Sequence, residues 1–190
     1  IVGFHRLADQ GQGPGGEADP RDYARAMADG GLLALMATLG LLQLGHETTP
    51  ELAQLYGLFC HVGIPVLLQR MPGYSGTMVE AGARRDRSYV QTENANHRTD
   101  HAVVGALVVR VWNLPPLLMA AVRLHHDFSA LGAKDVDPDV HALIAAGLIA
   151  EWLMRRHEGL SEDADWAANH AAAMAWLHLQ WTDLEQWEEA

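Results

Sequence analysis

The sequence predicts an all-α protein, and three observations carry that prediction. No segment alternates apolar and polar residues with the two-residue period of a half-buried strand. A capping residue followed by proline recurs ahead of apolar stretches, as Asp19-Pro20, Thr49-Pro50 and Asp137-Pro138. The C-terminal part is rich in alanine, the strongest helix former. Taken in order, residues 1–20 read as an N-terminal segment and linker around the glycine-rich run Gly11 to Gly16. Asp19 and Pro20 then open a buried helix that runs to Gly45, interrupted at Gly30 and Gly31. Thr49 caps a second helix with Leu52, Leu55, Tyr56 and Phe59 on one face. Residues 64–71 form a short apolar element closed by Pro72 and Gly73, and residues 74–83 another short helix. The stretch from His101 is ambiguous, because Val103, Val104, Val108, Val109 and Val111 favour a strand although the run is long for one. Pro115 and Pro116 start a helix after a turn at Asn113. Asp137 caps a longer one that ends in basic residues before Gly159. Asp163 and Asp165 open the alanine-rich tail helix, and Thr182 caps the last segment.

Composition narrows the function. The chain has 190 residues, 49% of them hydrophobic, enough for a sizeable core. Acidic residues outnumber basic ones 24 to 13 and no Lys/Arg run reverses this locally, which disfavours nucleic acid as a partner. A single cysteine, Cys60, excludes an internal disulfide and a thiolate zinc cluster and fits a reducing, cytoplasmic compartment. The start lacks a signal-peptide pattern, and no stretch reads as the roughly 20 apolar residues of a bilayer span, so no membrane association is expected. Starting on Ile1, the chain reads as a piece of a longer polypeptide.

The residues able to carry chemistry are histidines. His101 opens an apolar stretch and His125 and His126 close it. Imidazole is the commonest transition-metal ligand, and a hydrolytic centre adds carboxylates that balance charge and bridge ions. Adjacent His125 and His126, about 100° apart on a helix, suit two neighbouring ions or one ion and an outer contact better than one mononuclear site.

The pattern His101, Gly105, Trp112, Leu114, Pro115 and His125-His126 resembles the HDOD domain, the HD-related output domain of bacterial signalling proteins. The segment "LYGLFCHVGIPVLLQRMP" with Gly63, and "DPDVHALIAAGLIAEWL", are similar to that family as well, so the resemblance runs from about residue 21 to 187. It implies a compact helical bundle of the HD-domain type over residues 21–190, with the family's N-terminal helical lobe absent or truncated. It also implies a regulatory module of a signalling protein. Its catalytic relatives, the HD phosphohydrolases and HD-GYP phosphodiesterases, hold metal with a His-Asp pair, downstream histidines and a later aspartate. Anchored on Gly63, Cys60 stands for the pair's histidine and His61 for its aspartate; a shift by one pairs His61 with Val62. Gly147 stands where the late aspartate would be, and "HHDFSALG" lacks the "HHE…DG.GYP" continuation. Cys60, His61, His101, His125, His126 and Gly147 therefore read as a vestigial site with no cofactor.

The leading expectation is a non-catalytic regulatory domain acting through protein partners. His101, His125 and His126 then serve as buried polar residues bonded to backbone or to one another. Gly105 permits close helix packing, and Trp112 with Leu114 pins the turn. Trp176 and Trp181 in the tail are the candidate interface. One alternative is a divergent metal-dependent phosphohydrolase using His101, His125 and His126 with a carboxylate such as Glu93, Asp100 or Asp127. The other is a nucleotide-sensing domain that reuses the cavity, its cue being a basic residue such as Arg123 turned inward.

Overall fold

A computed structural model describes residues 48–160 and 162–189, which are helical with no strand among them. The linker, the Asp19 cap and the helix expected up to Gly45 lie outside the described residues. The helices are α1 (Pro50–Phe59), α2 (Gly63–Arg70), α3 (Tyr74–Ala83), α4 (Tyr89–His97), α5 (His101–Val111) and α6 (Pro116–Leu124). A 3-10 turn at Phe128–Ala130 follows, then α7 (Pro138–His157), α8 (Ala164–Trp176) and α9 (Trp181–Glu189).

Local chemistry explains most boundaries. Thr49 accepts from the Leu52 amide to start α1, Asp137 from Asp139 to start α7, and Asp163 from Trp166 to start α8. The valine-rich stretch is helical: Asp100 caps it by accepting from the Val103 amide, and packing against α2 and α6 overrides its strand propensity. Its end is a left-handed turn at Asn113 (φ 55°), closed by Leu114 N–H donating to Val109 C=O at 3.1 Å. Helix α4 had no counterpart among the expected elements, although Ser88 and Gln91 form a complete capping box at its start. The last helix begins one residue before Thr182; the Asp183 carboxylate caps it by accepting from the Gln180 amide at 2.7 Å.

Helix α7 is the central element, buried on every side from Val140 to Arg155 except at Glu151, and packed by α1, α6, α8 and α9. A helix apolar all round has to sit inside a bundle. The stretch Pro50–Arg70 is, contrary to expectation, long and apolar enough by composition to cross a membrane. It is broken by the turn between α1 and α2, and Tyr56, Phe59, Ile64 and Leu67 fill the interior of the fold.

Two glycines set the crossing that builds the site. A Cβ on Gly63 would collide with the backbone carbonyl of His101, and one on Gly105 would lie 3.0 Å from Val122 Cγ1. Only bare backbone lets α2 and α5 approach this closely. That approach brings the residues just before Gly63 against the first turn of α5.

Candidate functional site: a buried histidine tetrad

Four histidines converge where α1, α5 and α6 meet. His61 sits in the turn between α1 and α2, held by Val62 N–H to Phe59 C=O and by Ile64 N–H to His61 C=O. His101 is the first residue of α5, His125 the C-cap of α6, and His126 follows it. The helix has ended at that point, so the two adjacent rings do not diverge as they would along a helix. Their centroids lie 4.2 Å apart. His101 is 5.0 Å from each of them, and His61 is 5.5 Å from His101 and 5.4 Å from His125. One ring nitrogen from each of the four lies within 4.8 Å of all the others.

Each ring is fixed from outside by a hydrogen-bond acceptor. His125 Nδ1–H donates to the Val122 carbonyl at 2.7 Å. A carbonyl can only accept, so Nδ1 carries the proton and Nε2 presents its lone pair in the neutral ring. His101 Nδ1 bonds Glu93 Oε2 at 2.7 Å, and the same carboxylate accepts the His101 amide and the Tyr74 hydroxyl. His126 Nδ1 bonds Asp165 Oδ2 at 2.8 Å, and His61 Nε2 bonds Glu151 Oε1 at 2.9 Å. His101 Nε2 and His125 Nε2 are 3.1 Å apart, while His61 Nδ1 and His126 Nε2 are buried with no hydrogen-bond partner among the described residues.

Burial dominates the electrostatics. It lowers the pKa of His61 and His125 well below the imidazole range, assisted by the neighbouring rings. For His126 burial acts in the same direction, but the Asp165 carboxylate outweighs it and lifts the ring to about 9. Burial alone would raise Glu93; the His101 ring and its hydrogen bond, with help from Tyr74, hold it below its ordinary value. Glu151 is raised by burial.

The structure brings together His61, His101, His125 and His126 and leaves the other expected site positions outside the tetrad. Cys60 faces away, its thiol donating to the Gly57 carbonyl at 3.4 Å, and burial with the Glu151 charge pushes it up to about 12, which leaves no thiolate for nucleophilic chemistry. A side chain on Gly147 would run into the Tyr56 hydroxyl, so that position holds packed aromatic ring and not a ligand. Asp100 is used as the α5 cap and accepts from Asn94; Asp127 is exposed and accepts from Ser129. Arg123 is exposed and points into neither cavity beside the tetrad; Arg84, Arg87 and Arg155 line the smaller of these, next to His126. Trp112 is exposed but meets Phe59 edge to face at 5.6 Å, Leu114 packs on the core, and exposed Pro115 precedes α6. Trp176 packs on the buried His141 ring at 4.5 Å, so it belongs to the interior more than to an interface, whereas Trp181 is 47% exposed.

Sequence reasoning missed Glu151 and Asp165 as ring-orienting carboxylates and named Glu93 only as a candidate ligand. Their separations from the histidines they hold, 90 residues for Glu151 and 39 for Asp165, leave no local signal. The donor set does not fit the carboxylate-bridged centre of HD phosphohydrolases. Among the described residues the clustered donors are four imidazoles, whereas Mg²⁺ or a bridged di-iron pair requires oxygen.

A model of the HDOD domain family matches residues 18–128, a span that contains the four histidines and Glu93 but ends before Glu151 and Asp165. No curated protein and no solved structure matches the chain significantly.

Proposed function

The chain belongs to the HDOD family, and from that premise we propose that it is a non-catalytic regulatory domain of a bacterial, cytoplasmic signalling protein, acting through contacts with protein partners. The observation that carries the non-catalytic part is at Gly147. The resemblance assigns the late metal-binding aspartate to Gly147, and a side chain there would collide with the buried Tyr56 ring, which supports the reading that this position supplies no ligand. In the register anchored on Gly63 the other carboxylate position is His61, whose ring is tied to Glu151. A hydrolytic centre assembled from His101, His125 and His126 with Glu93 is disfavoured, because the two Glu93 oxygens are already committed to Tyr74 and His101. For the contact surface, Trp181 and the exposed end of α5 at Leu107, Val111 and Trp112 supply large apolar side chains.

The test is hydrolysis of bis(p-nitrophenyl) phosphate and of cyclic dinucleotides with Mg²⁺, Mn²⁺ and Fe²⁺ supplied in turn. The expected result is no turnover above the metal-only background. Metal-stimulated turnover that disappears in His101→Ala overturns the reading.

A further inference from the structure

We infer that the tetrad is a binding site for one divalent transition-metal ion of the zinc, cobalt, nickel or copper class, held by four imidazole nitrogens with the charge-balancing carboxylates one layer farther out. The inference goes beyond the regulatory reading and does not depend on it.

The first support is the direction of the rings. Each histidine is bonded at one nitrogen to an outer carboxylate or carbonyl, Glu151, Glu93, the Val122 carbonyl or Asp165, and one ring nitrogen of each lies within 4.8 Å of the other three. This is how proteins orient metal-binding imidazoles: the outer bond selects the tautomer and raises the basicity of the inner nitrogen. A second support is the state of the inner nitrogens. His61 Nδ1 and His126 Nε2 have no hydrogen-bond partner among the described residues, although both side chains are only 4% exposed. A buried polar atom left in that state destabilises the fold unless a ligand satisfies it. Between His101 and His125 the conflict is sharper. When both rings are neutral with Nδ1–H donated outward, the two Nε2 lone pairs face each other at 3.1 Å, an arrangement that a shared cation converts from repulsive to attractive.

Size and charge agree. Tetrahedral donors about 2.0–2.1 Å from Zn²⁺ lie roughly 3.3 Å apart, so the tetrad, spanning at most 4.8 Å, needs each donor to move inward by less than about 1 Å. With a metal bound the four imidazoles are neutral, His126 having released a proton to solvent, and Glu93, Asp165 and Glu151 behind the rings balance the charge of the cation. The carboxylates lost from direct ligation thus reappear on the far side of the rings. An all-nitrogen set favours borderline ions over Mg²⁺ or Ca²⁺. His126 also forms part of the wall of an open groove of about 610 Å³ that passes Arg87 and Phe128.

The experiment uses tag-free chain stripped with chelator, titrated separately with Zn²⁺, Co²⁺, Ni²⁺ and Cu²⁺, gel-filtered and measured by elemental analysis, with thermal melts on the same samples. The expected result is about one Zn²⁺ per chain retained, a higher melting temperature, and intense visible absorption when Co²⁺ takes the tetrahedral site. Glu93→Gln and Asp165→Asn, each checked for folding by circular dichroism, weaken Zn²⁺ binding about 10–100-fold, and the paired His101→Ala/His125→Ala variant abolishes it. His178→Ala, at an exposed histidine, leaves binding unchanged. Failure of the wild-type chain to retain any of the four ions overturns the inference. So does Zn²⁺ affinity that is unchanged in both outer-carboxylate variants. Binding is read without turnover, so a chain that retains zinc and hydrolyses phosphodiesters refutes the regulatory reading alone, and one that does neither refutes only the metal site.

Discussion

Glu93 shows how a single side chain ties the fold to the site. It is fully buried, and its charge is supported by the Tyr74 hydroxyl on one oxygen and by the His101 ring and amide on the other. Tyr74→Phe removes one donor without changing the packed volume, and the expected loss is about 1–3 kcal/mol in urea unfolding. An unchanged midpoint and slope would show that the hydroxyl bond contributes nothing. Gly147 makes the converse point. A carboxylate introduced there as Gly147→Asp forces the buried Tyr56 ring aside, and overpacking of that kind costs about 1–3 kcal/mol. The substituted chain is expected to be less stable and still inactive on bis(p-nitrophenyl) phosphate; a variant as stable as wild type with acquired Mn²⁺-dependent turnover would contradict this account of the position. Gly63 is less forgiving still, since the atom its Cβ would meet is His101 backbone, which cannot rotate away.

At the scale of elements, short helices are placed by their ends. Helix α4 has nine residues, little apolar character and no acidic first turn, so its existence depends on the Ser88–Gln91 capping box and on packing against α3. Ser88→Ala should cost about 1 kcal/mol. Because α4 carries Glu93, hydrogen exchange of its amides is expected to rise along with the fall in stability. A loss of stability with α4 protection unchanged would place the cost elsewhere. Helix α5 illustrates a different balance. Its valines are poor helix formers, but the Asp100 cap and the glycine-mediated contact with α2 decide the outcome, because propensity differences of a few tenths of a kcal/mol per residue are small beside burial of a helix face.

For the molecule as a whole, α7 organises two clusters of aromatic rings and the site. On one side Trp152 stacks on Trp166 at 4.6 Å, with Trp181 edge-on to both; at its N-terminal end His141 meets Trp176. Trp176 and Trp181 should therefore separate in experiment. Trp176→Ala is expected to lower stability by about 3 kcal/mol through loss of packing. Trp181→Ala, at the surface, is expected to cost less than about 1 kcal/mol and instead to weaken binding of a protein partner by roughly thirtyfold if that residue anchors the contact. Thermal melts followed by crosslinking to the partner in cells check both, and a folded Trp181→Ala chain that retains every partner removes Trp181 from the proposed surface.

The sequence alone was sufficient for the helical class and for most helix starts. Those depend on contacts between near neighbours: Thr49 with Leu52, Asp137 with Asp139, the left-handed Asn113 after a helix. It also marked Gly63, Gly105 and the histidines, whose residue types restrict what their surroundings can be. Only the tertiary structure decided that His61 joins the other three, which nitrogen of each ring faces inward, and that Glu93, Glu151 and Asp165 stand behind the rings. A histidine's spacing along the chain carries no information about its tautomer. That is set by whichever acceptor the fold brings to the other nitrogen, and for His61 that acceptor is 90 residues away.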